Sequence, residues 1–239
     1  MEPLSSLAIV SLAGLIHASF QLSVSMLTLL SGHTIGGRAS HVKVLRRAGS
    51  FILGVVLMTL LLLSSTILVL QVIFGTYTPP LLWSVGCGLL MGLGIAVWVF
   101  YYRKASGTTL WLPRNFATFL ARRTKATNSS AEAFSLGMAS VIAEIIFIFP
   151  LLLISAMTLL QLTPVWQATG IALYVGFASL SLGIIGVLVG SGHKLSRIQK
   201  WREANKRFLQ FAAGSGLLVL GFYIYVDYVL TAALVGLGT

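Results

Sequence analysis

The chain has 239 residues, of which 57% are hydrophobic and only 9% are charged. An ordinary globular domain carries about 25% charged residues, so this composition argues against a soluble protein and predicts a surface that mostly faces lipid. The formal net charge is +11. The basic residues are confined to three segments and form no separate basic face, which argues against nucleic acid as a partner.

Long stretches without Asp, Glu, Lys or Arg predict the transmembrane helices, because one crossing needs about 20 apolar residues. The stretches 3–37 and 208–239 each have room for one crossing, and the two middle stretches each have room for two. Turn signals divide the middle stretches at 75–80 and 161–164, since proline disfavours helix in the residue before it. The sequence therefore predicts an all-α, polytopic membrane protein with six spans, at 7–32, 50–74, 81–102, 133–160, 166–191 and 208–235.

The positions of Lys and Arg predict the orientation of these spans. All 16 lie in the segments 33–49, 103–132 and 192–207. Positive-inside bias places these three loops in the cytoplasm and both termini outside. The bilayer, with its anionic headgroups attracted to these loops, is then the main partner. We expect an integral protein of a prokaryotic cytoplasmic membrane.

The longest loop divides the chain into two groups of three helices, at 1–102 and 133–239, joined by a linker at 103–132. The two groups have opposite orientations, as an inverted-topology repeat requires. Within the linker, 110–123 has the apolar spacing of an amphipathic helix that lies on the cytoplasmic leaflet or binds a partner. Its apolar positions are Leu112, Phe116, Phe119 and Leu120.

Glycines give two further indications. Setting Gly14 in the first span against Gly137 in the fourth places Gln21 opposite Glu144, which agrees with a repeat. Gly88 and Gly92 form a GxxxG pair, a spacing that lets helix backbones approach closely in lipid.

Glu144 is the main candidate for a functional residue. It lies near the middle of a long apolar run, where an ionisable side chain costs about 3 kcal/mol on insertion scales. Burial there favours the neutral carboxyl, which can exchange a proton. The alternative is a protonated, hydrogen-bonded structural residue. Pro150, six residues later, predicts a helix break because it frees the carbonyl of residue 146 and favours a kink.

Three polar residues of the first span, His17, Gln21 and Ser25, follow one another at four-residue intervals and share one helix face. We assign them with Glu144 to a substrate- or ion-binding site. His17 is also a weak candidate for a metal ligand, although a lone histidine is more often a hydrogen-bonded structural residue. Asp227, near the outer end of the sixth span, is either an outer gate or a headgroup contact.

The sequence contains no nucleotide-binding loop, HExxH, GxSxG or haem-attachment motif. It also lacks a recognisable pair of nucleophile and base. We therefore expect neither enzymatic activity nor a cofactor. The pattern leaves the oligomeric state open.

Six spans in a three-plus-three arrangement, with Gly14 and His17 in the first and Gly137, Glu144 and Pro150 in the fourth, resemble the lysine-exporter superfamily. That group includes amino-acid exporters, nickel/cobalt exporters and thiol–disulfide electron transporters. The resemblance covers most of the chain as architecture and implies a transporter-like fold.

The motifs depart from those of each branch of that superfamily. The electron transporters use a membrane-embedded cysteine in each repeat, whereas this chain has a single cysteine, Cys87. The metal exporters carry histidine and aspartate together in the first span, where only His17 matches. The amino-acid exporters carry a Pro-Gly-Pro-like break in the first span, which has no such proline here. The resemblance therefore leaves the substrate open.

Together these features predict a small-solute or ion transporter, working as an exporter and coupled to protons through Glu144. The alternative is a non-transporting membrane assembly or scaffold protein that acts through its basic cytoplasmic loops.

Overall fold

The structure, a computed structural model, describes residues 2–20, 41–101, 122–123, 127, 129–191, 201 and 204–231. These residues are nearly all helical and include no strand, which confirms the all-α class. Two π-helical segments, Val97–Tyr101 and Tyr225–Leu230, directly follow the α-helices Pro80–Ala96 and Lys206–Ile224. The α-helices are α1 Pro3–Ser19, α2 His41–Phe74, α3 Pro80–Ala96, α4 Ser130–Ala143, α5 Ile145–Leu160, α6 Pro164–Ala178, α7 Leu180–Gly190 and α8 Lys206–Ile224.

Several of these helices are suited to a bilayer. By length and composition, α2 can cross a membrane, and so can α3 and α8 together with the π-helical residues that follow them. The bent pairs α4–α5 and α6–α7 raise the number of candidate spans to five if each pair is one span. The remaining predicted span, 7–32, is described only as far as residue 20, and its described helix, α1, has 17 residues. The chain therefore has the helices of a membrane protein, and a count of six stays a prediction.

Sequence signals account for the starts of four helices. Pro3, Pro80 and Pro164 occupy the first turns of α1, α3 and α6, where the missing N–H of proline costs nothing. The Ser129 hydroxyl accepts a hydrogen bond from the Glu132 N–H at 3.1 Å, and the Glu132 carboxylate accepts one from the Ser129 N–H at 3.3 Å. This capping box starts α4.

The beginning of α2 differs from the prediction. The helix starts at His41 rather than at residue 50, so part of the predicted loop 33–49 is helical. Its 34 residues extend about 50 Å at 1.5 Å per residue, well beyond a hydrocarbon core of about 30 Å. The first turns, which carry Lys43, Arg46 and Arg47, can therefore continue beyond the hydrocarbon core.

The predicted fourth and fifth spans are each two helices. The chain bends by 78° between α4 and α5, at Glu144, and by 49° between α6 and α7, at Ser179. The predicted break at Pro150 is therefore wrong in position, because Pro150 lies inside α5. At Pro150 the helix loses a single backbone hydrogen bond. At Glu144 the backbone bonds three residues back instead of four, since the Glu144 N–H donates to the Val141 carbonyl at 3.1 Å.

Helix α5 lies at the centre of the molecule and contacts α1, α2, α3 and α6. From Phe147 to Leu160 every residue except Phe149 is buried. A helix that is apolar on all sides is expected to be buried, and the surrounding helices bury α5.

Those surrounding helices touch through glycines. A Cβ atom added at Gly137 would collide with the Phe51 carbonyl oxygen, which brings α4 onto α2. One added at Gly14 would lie 2.8 Å from the Tyr174 carbonyl oxygen, which brings α1 onto α6. Small residues at such points let helices pack in lipid, where no hydrophobic drive brings them together.

The third pair, α3 with α8, is antiparallel and also crosses at glycines. Cβ atoms at Gly94 and Gly214 would lie 3.0 and 3.3 Å from each other's carbonyl oxygens. By contrast, the predicted packing residues Gly88 and Gly92 have no described atom within 4 Å of their Cβ positions. Sequence spacing thus identified glycines on a face of α3 that meets no described helix.

We expect Gly137→Ala to destabilise the fold by about 1–3 kcal/mol, the usual cost of forcing a methyl group into a packed contact. The Phe51 carbonyl that it meets is backbone and can yield only if α2 and α4 separate. Thermal unfolding in detergent, followed by circular dichroism, measures this. The matched control is Gly88→Ala, which enters open space and should leave the Tm unchanged or raised. Equal Tm values for the two variants would contradict the assigned α2–α4 contact.

Candidate functional site

Three irregular points of the backbone are linked by side-chain contacts. The rings of Phe20, just after α1, and Phe147, in the first turn of α5, stack with centroids 5.8 Å apart. The Ser181 hydroxyl, just after the α6–α7 bend, donates to the Ala18 carbonyl at 3.3 Å. The end of α1 therefore contacts segments next to both bends. We call residues 17–20, 144–147 and 179–181 the helix-break region.

Glu144 lies at the α4–α5 bend with only 2% of its surface exposed. It is the C-cap of α4 and the N-cap of α5, and its carbonyl accepts hydrogen bonds from the N–H groups of Phe147 and Ile148. Broken helices in membranes occur where the backbone is buried in protein or lines a cavity. A buried carboxyl at such a break can take up a proton or contribute an oxygen to a bound cation.

His17 lies in the last turn of α1 and is 1% exposed. Its Nδ1 is 3.1 Å from the Tyr174 hydroxyl, and the two rings are 5.7 Å apart at 49°. Within the described part of the chain, the hydrogen bond of His17 goes to Tyr174 and not to Glu144. The structure thus places both predicted residues in the protein interior without joining them directly.

Tyr174 is a site residue that was not predicted from the sequence. A tyrosine in the middle of an apolar span was the available signal, because a buried phenol hydroxyl usually has a hydrogen-bond partner. Its partner could not be named, since Tyr174 and His17 lie 157 residues apart in the chain.

The other predicted site residues fall elsewhere. Gln21 and Ser25 lie outside the described residues. Asp227 is exposed in the π-helical segment that follows α8, whereas His17 and Glu144 are buried. It borders a shallow apolar groove whose other lining residues are Leu218, Val219, Phe222, Tyr223, Val226 and Thr231.

Over the described ranges, no group of three or more His, Cys, Asp or Glu side chains is placed to hold a metal ion. Comparisons with protein-family models, with curated proteins and with solved structures found no match. The resemblance to the lysine-exporter superfamily therefore stays a prediction, and the helix-break region is interpreted from its own residues.

The stack between Phe20 and Phe147 should couple the end of α1 to α5. We expect Phe147→Ala to destabilise the protein by about 3–5 kcal/mol, as truncation of a buried phenylalanine does. In a double-mutant cycle with Phe20→Ala, the coupling energy should be about 0.5–1.5 kcal/mol. Unfolding in mixed micelles of increasing denaturing detergent measures both. Strictly additive effects would show that the two rings do not hold these helices together.

Proposed function

We propose that this chain is a small-solute or ion transporter, working as an exporter, with proton coupling through Glu144. The observation that carries the proposal is the position of Glu144, a carboxyl buried at a 78° bend in a helix pair apolar enough to cross a membrane. A buried ionisable group in a span is costly and typically serves an ion or proton pathway. Helix breaks beside such groups are the usual way in which transporters build a site.

An inverted repeat, which many transporters contain, is supported by two glycine contacts. At Gly14, an added Cβ would lie 2.8 Å from the Tyr174 carbonyl oxygen and 3.4 Å from the Ala178 nitrogen. At Gly137, it would meet the Phe51 carbonyl oxygen and lie 3.1 Å from the Val55 nitrogen. A shift of 123 residues relates the two contacts, since Gly14 becomes Gly137, Phe51 becomes Tyr174 and Val55 becomes Ala178.

An exchange of the two halves of the chain also accounts for the third pair of contacting helices, α3 with α8. Exchanging α1 with α4 and α2 with α6 turns the α1–α6 contact into the α4–α2 contact. The same exchange maps the α3–α8 pair onto itself, and the contact there is reciprocal at Gly94 and Gly214. These features favour two groups of three spans with opposite orientation, as the charge distribution predicted.

The two bends are the points at which the helices move relative to one another. Helix α4 is held against α2 at Gly137, so movement between α4 and α5 falls on Glu144. Helix α6 is held against α1 at Gly14, so movement between α6 and α7 falls on Ser179. Alternating access then consists of bending at these two residues. Protonation of Glu144 removes the cost of a buried charge during the change, and deprotonation follows when water reaches the carboxyl.

Glu144→Gln tests this mechanism, because it preserves shape and removes the exchangeable proton. We expect proteoliposomes on a solid-supported membrane to give currents when exposed to at least one member of a panel. The panel contains the amino acids, alkali and divalent metal chlorides, and aliphatic amines. Glu144→Gln should reduce that current about tenfold or more and remove its dependence on pH. Glu132→Gln is the matched control, since glutamine is also accepted in a capping box.

Undiminished current with unchanged pH dependence in Glu144→Gln would refute proton coupling through this residue. The rival function, a membrane scaffold, gives a different pattern. It predicts no solute current from the wild-type protein, and loss of cellular function when basic residues in 194–207 are replaced.

The orientation is testable with single cysteines in a Cys87→Ala background. A membrane-impermeant maleimide should label Tyr77→Cys and Gln161→Cys in intact spheroplasts, because both positions are exposed in loops predicted to lie outside. Trp201→Cys, exposed in a basic segment, should react only after permeabilisation. Labelling of Trp201→Cys in intact spheroplasts, together with no labelling of Tyr77→Cys and Gln161→Cys, would show that the topology is the reverse of the predicted one.

A further inference from the structure

The hydroxyl of Tyr174 is a polar group in the interior of the protein, on a helix that is predicted to cross the membrane. Tyr174 is fully buried in α6, and its hydroxyl lies 3.1 Å from the Nδ1 atom of His17 in α1. A buried phenol hydroxyl without a partner would be costly in an apolar surrounding. The two side chains satisfy each other across the α1–α6 contact.

Tyr174 is held by α1 at two points. Its carbonyl oxygen lies under Gly14, and its hydroxyl reaches the imidazole three residues further along the same helix. The contact therefore sets both the position of α1 and the orientation of the His17 ring. The buried Tyr174 O–H needs an acceptor, and Nδ1 of His17 lies within reach at 3.1 Å. The hydroxyl therefore donates to Nδ1, which places the proton of the neutral imidazole on Nε2 and leaves the Nε2–H group for another partner.

The related contact in the other half of the protein shows that packing does not need this polar pair. The shift of 123 residues places Phe51 at the position of Tyr174 and Ser140 at that of His17. Phe51 has no hydroxyl, and the Ser140 hydroxyl donates to the Gly137 carbonyl of its own helix at 2.7 Å. Helices α2 and α4 nevertheless pack through the same kind of glycine contact as α1 and α6.

We propose that Tyr174 is a positioning residue of the helix-break region, whose hydroxyl donates to Nδ1 of His17 and so holds the imidazole in the tautomer whose Nε2–H group can donate to an acceptor on the solute. This role rests on the proposed function of the region. The α1–α6 contact then contains a polar pair, whereas among the described residues the related α2–α4 contact, at Gly137 and Phe51, contains none.

Histidine ¹⁵N spectra of the full chain in nanodiscs test the contact without any ligand. The chain has four histidines, and His17→Asn identifies the signal of His17. In the wild-type protein we expect a single neutral tautomer for His17. Tyr174→Phe should shift its two nitrogen signals and mix the tautomers, while the other three histidines stay unchanged. Tyr77→Phe removes a hydroxyl from an exposed tyrosine and is the matched control.

A second measurement protects the test against misfolding of the variant. In wild-type protein with ¹⁵N-histidine and ¹³C-tyrosine, magnetisation should transfer through space between His17 and a tyrosine ring carbon. Absence of this transfer overturns the inference, as does a His17 spectrum that is identical in Tyr174→Phe and wild type.

The functional part uses the solute panel described above. Tyr174→Phe should reduce the current about tenfold, the effect that loss of one buried hydrogen bond has on an equilibrium, while Tyr77→Phe keeps it. Full current in a folded Tyr174→Phe with altered His17 signals would refute the positioning role alone. Full current in Glu144→Gln would instead refute the proposed mechanism and leave the Tyr174–His17 contact standing.

Discussion

Backbone contact at glycines is the constraint on which the rest of this fold depends. Helices in lipid gain little from burying apolar surface against each other, so their association rests on close packing and polar contacts. Gly137 lets α4 lie on α2, Gly14 lets α1 lie on α6, and Gly94 with Gly214 lets α3 cross α8. These three pairs surround the position that α5 occupies. Because the pairs are close, nearly every residue of α5 is buried.

Glu144 is buried because it lies at the start of the enclosed helix α5. The carboxyl lies where α4, held by α2, turns into α5, so one residue combines a buried ionisable group with a break in the helical ladder. Either feature alone has common structural explanations. Together they place a buried carboxyl at a bend where the backbone hydrogen bonds depart from the regular helical pattern, a combination from which ion and solute sites in membranes are built.

The two halves share a backbone pattern but differ in their chemistry. The contact at Gly14 and that at Gly137 have the same backbone neighbours after a shift of 123 residues. Among the residues that the structure describes, a side-chain hydrogen bond between the paired helices is found at the first contact, between Tyr174 and His17. The two related contacts therefore differ in polarity, since the first contains the Tyr174–His17 pair and the second contains Phe51 in place of the tyrosine.

The sequence by itself determined the all-α class, the apolar stretches and the turns at 75–80 and 161–164, which separate α2 from α3 and α5 from α6, because these follow from residues within one or two turns of each other. It also singled out Glu144, since a lone carboxyl in an apolar run is visible without a structure. Tertiary structure decided that the bend falls at Glu144 and not at Pro150, and that Tyr174 is the partner of His17. The reason is physical: a bend and a buried hydrogen bond both depend on which helices lie alongside. Those neighbours come from distant segments of the chain, such as the 157 residues that separate Tyr174 from His17, and no local pattern specifies them.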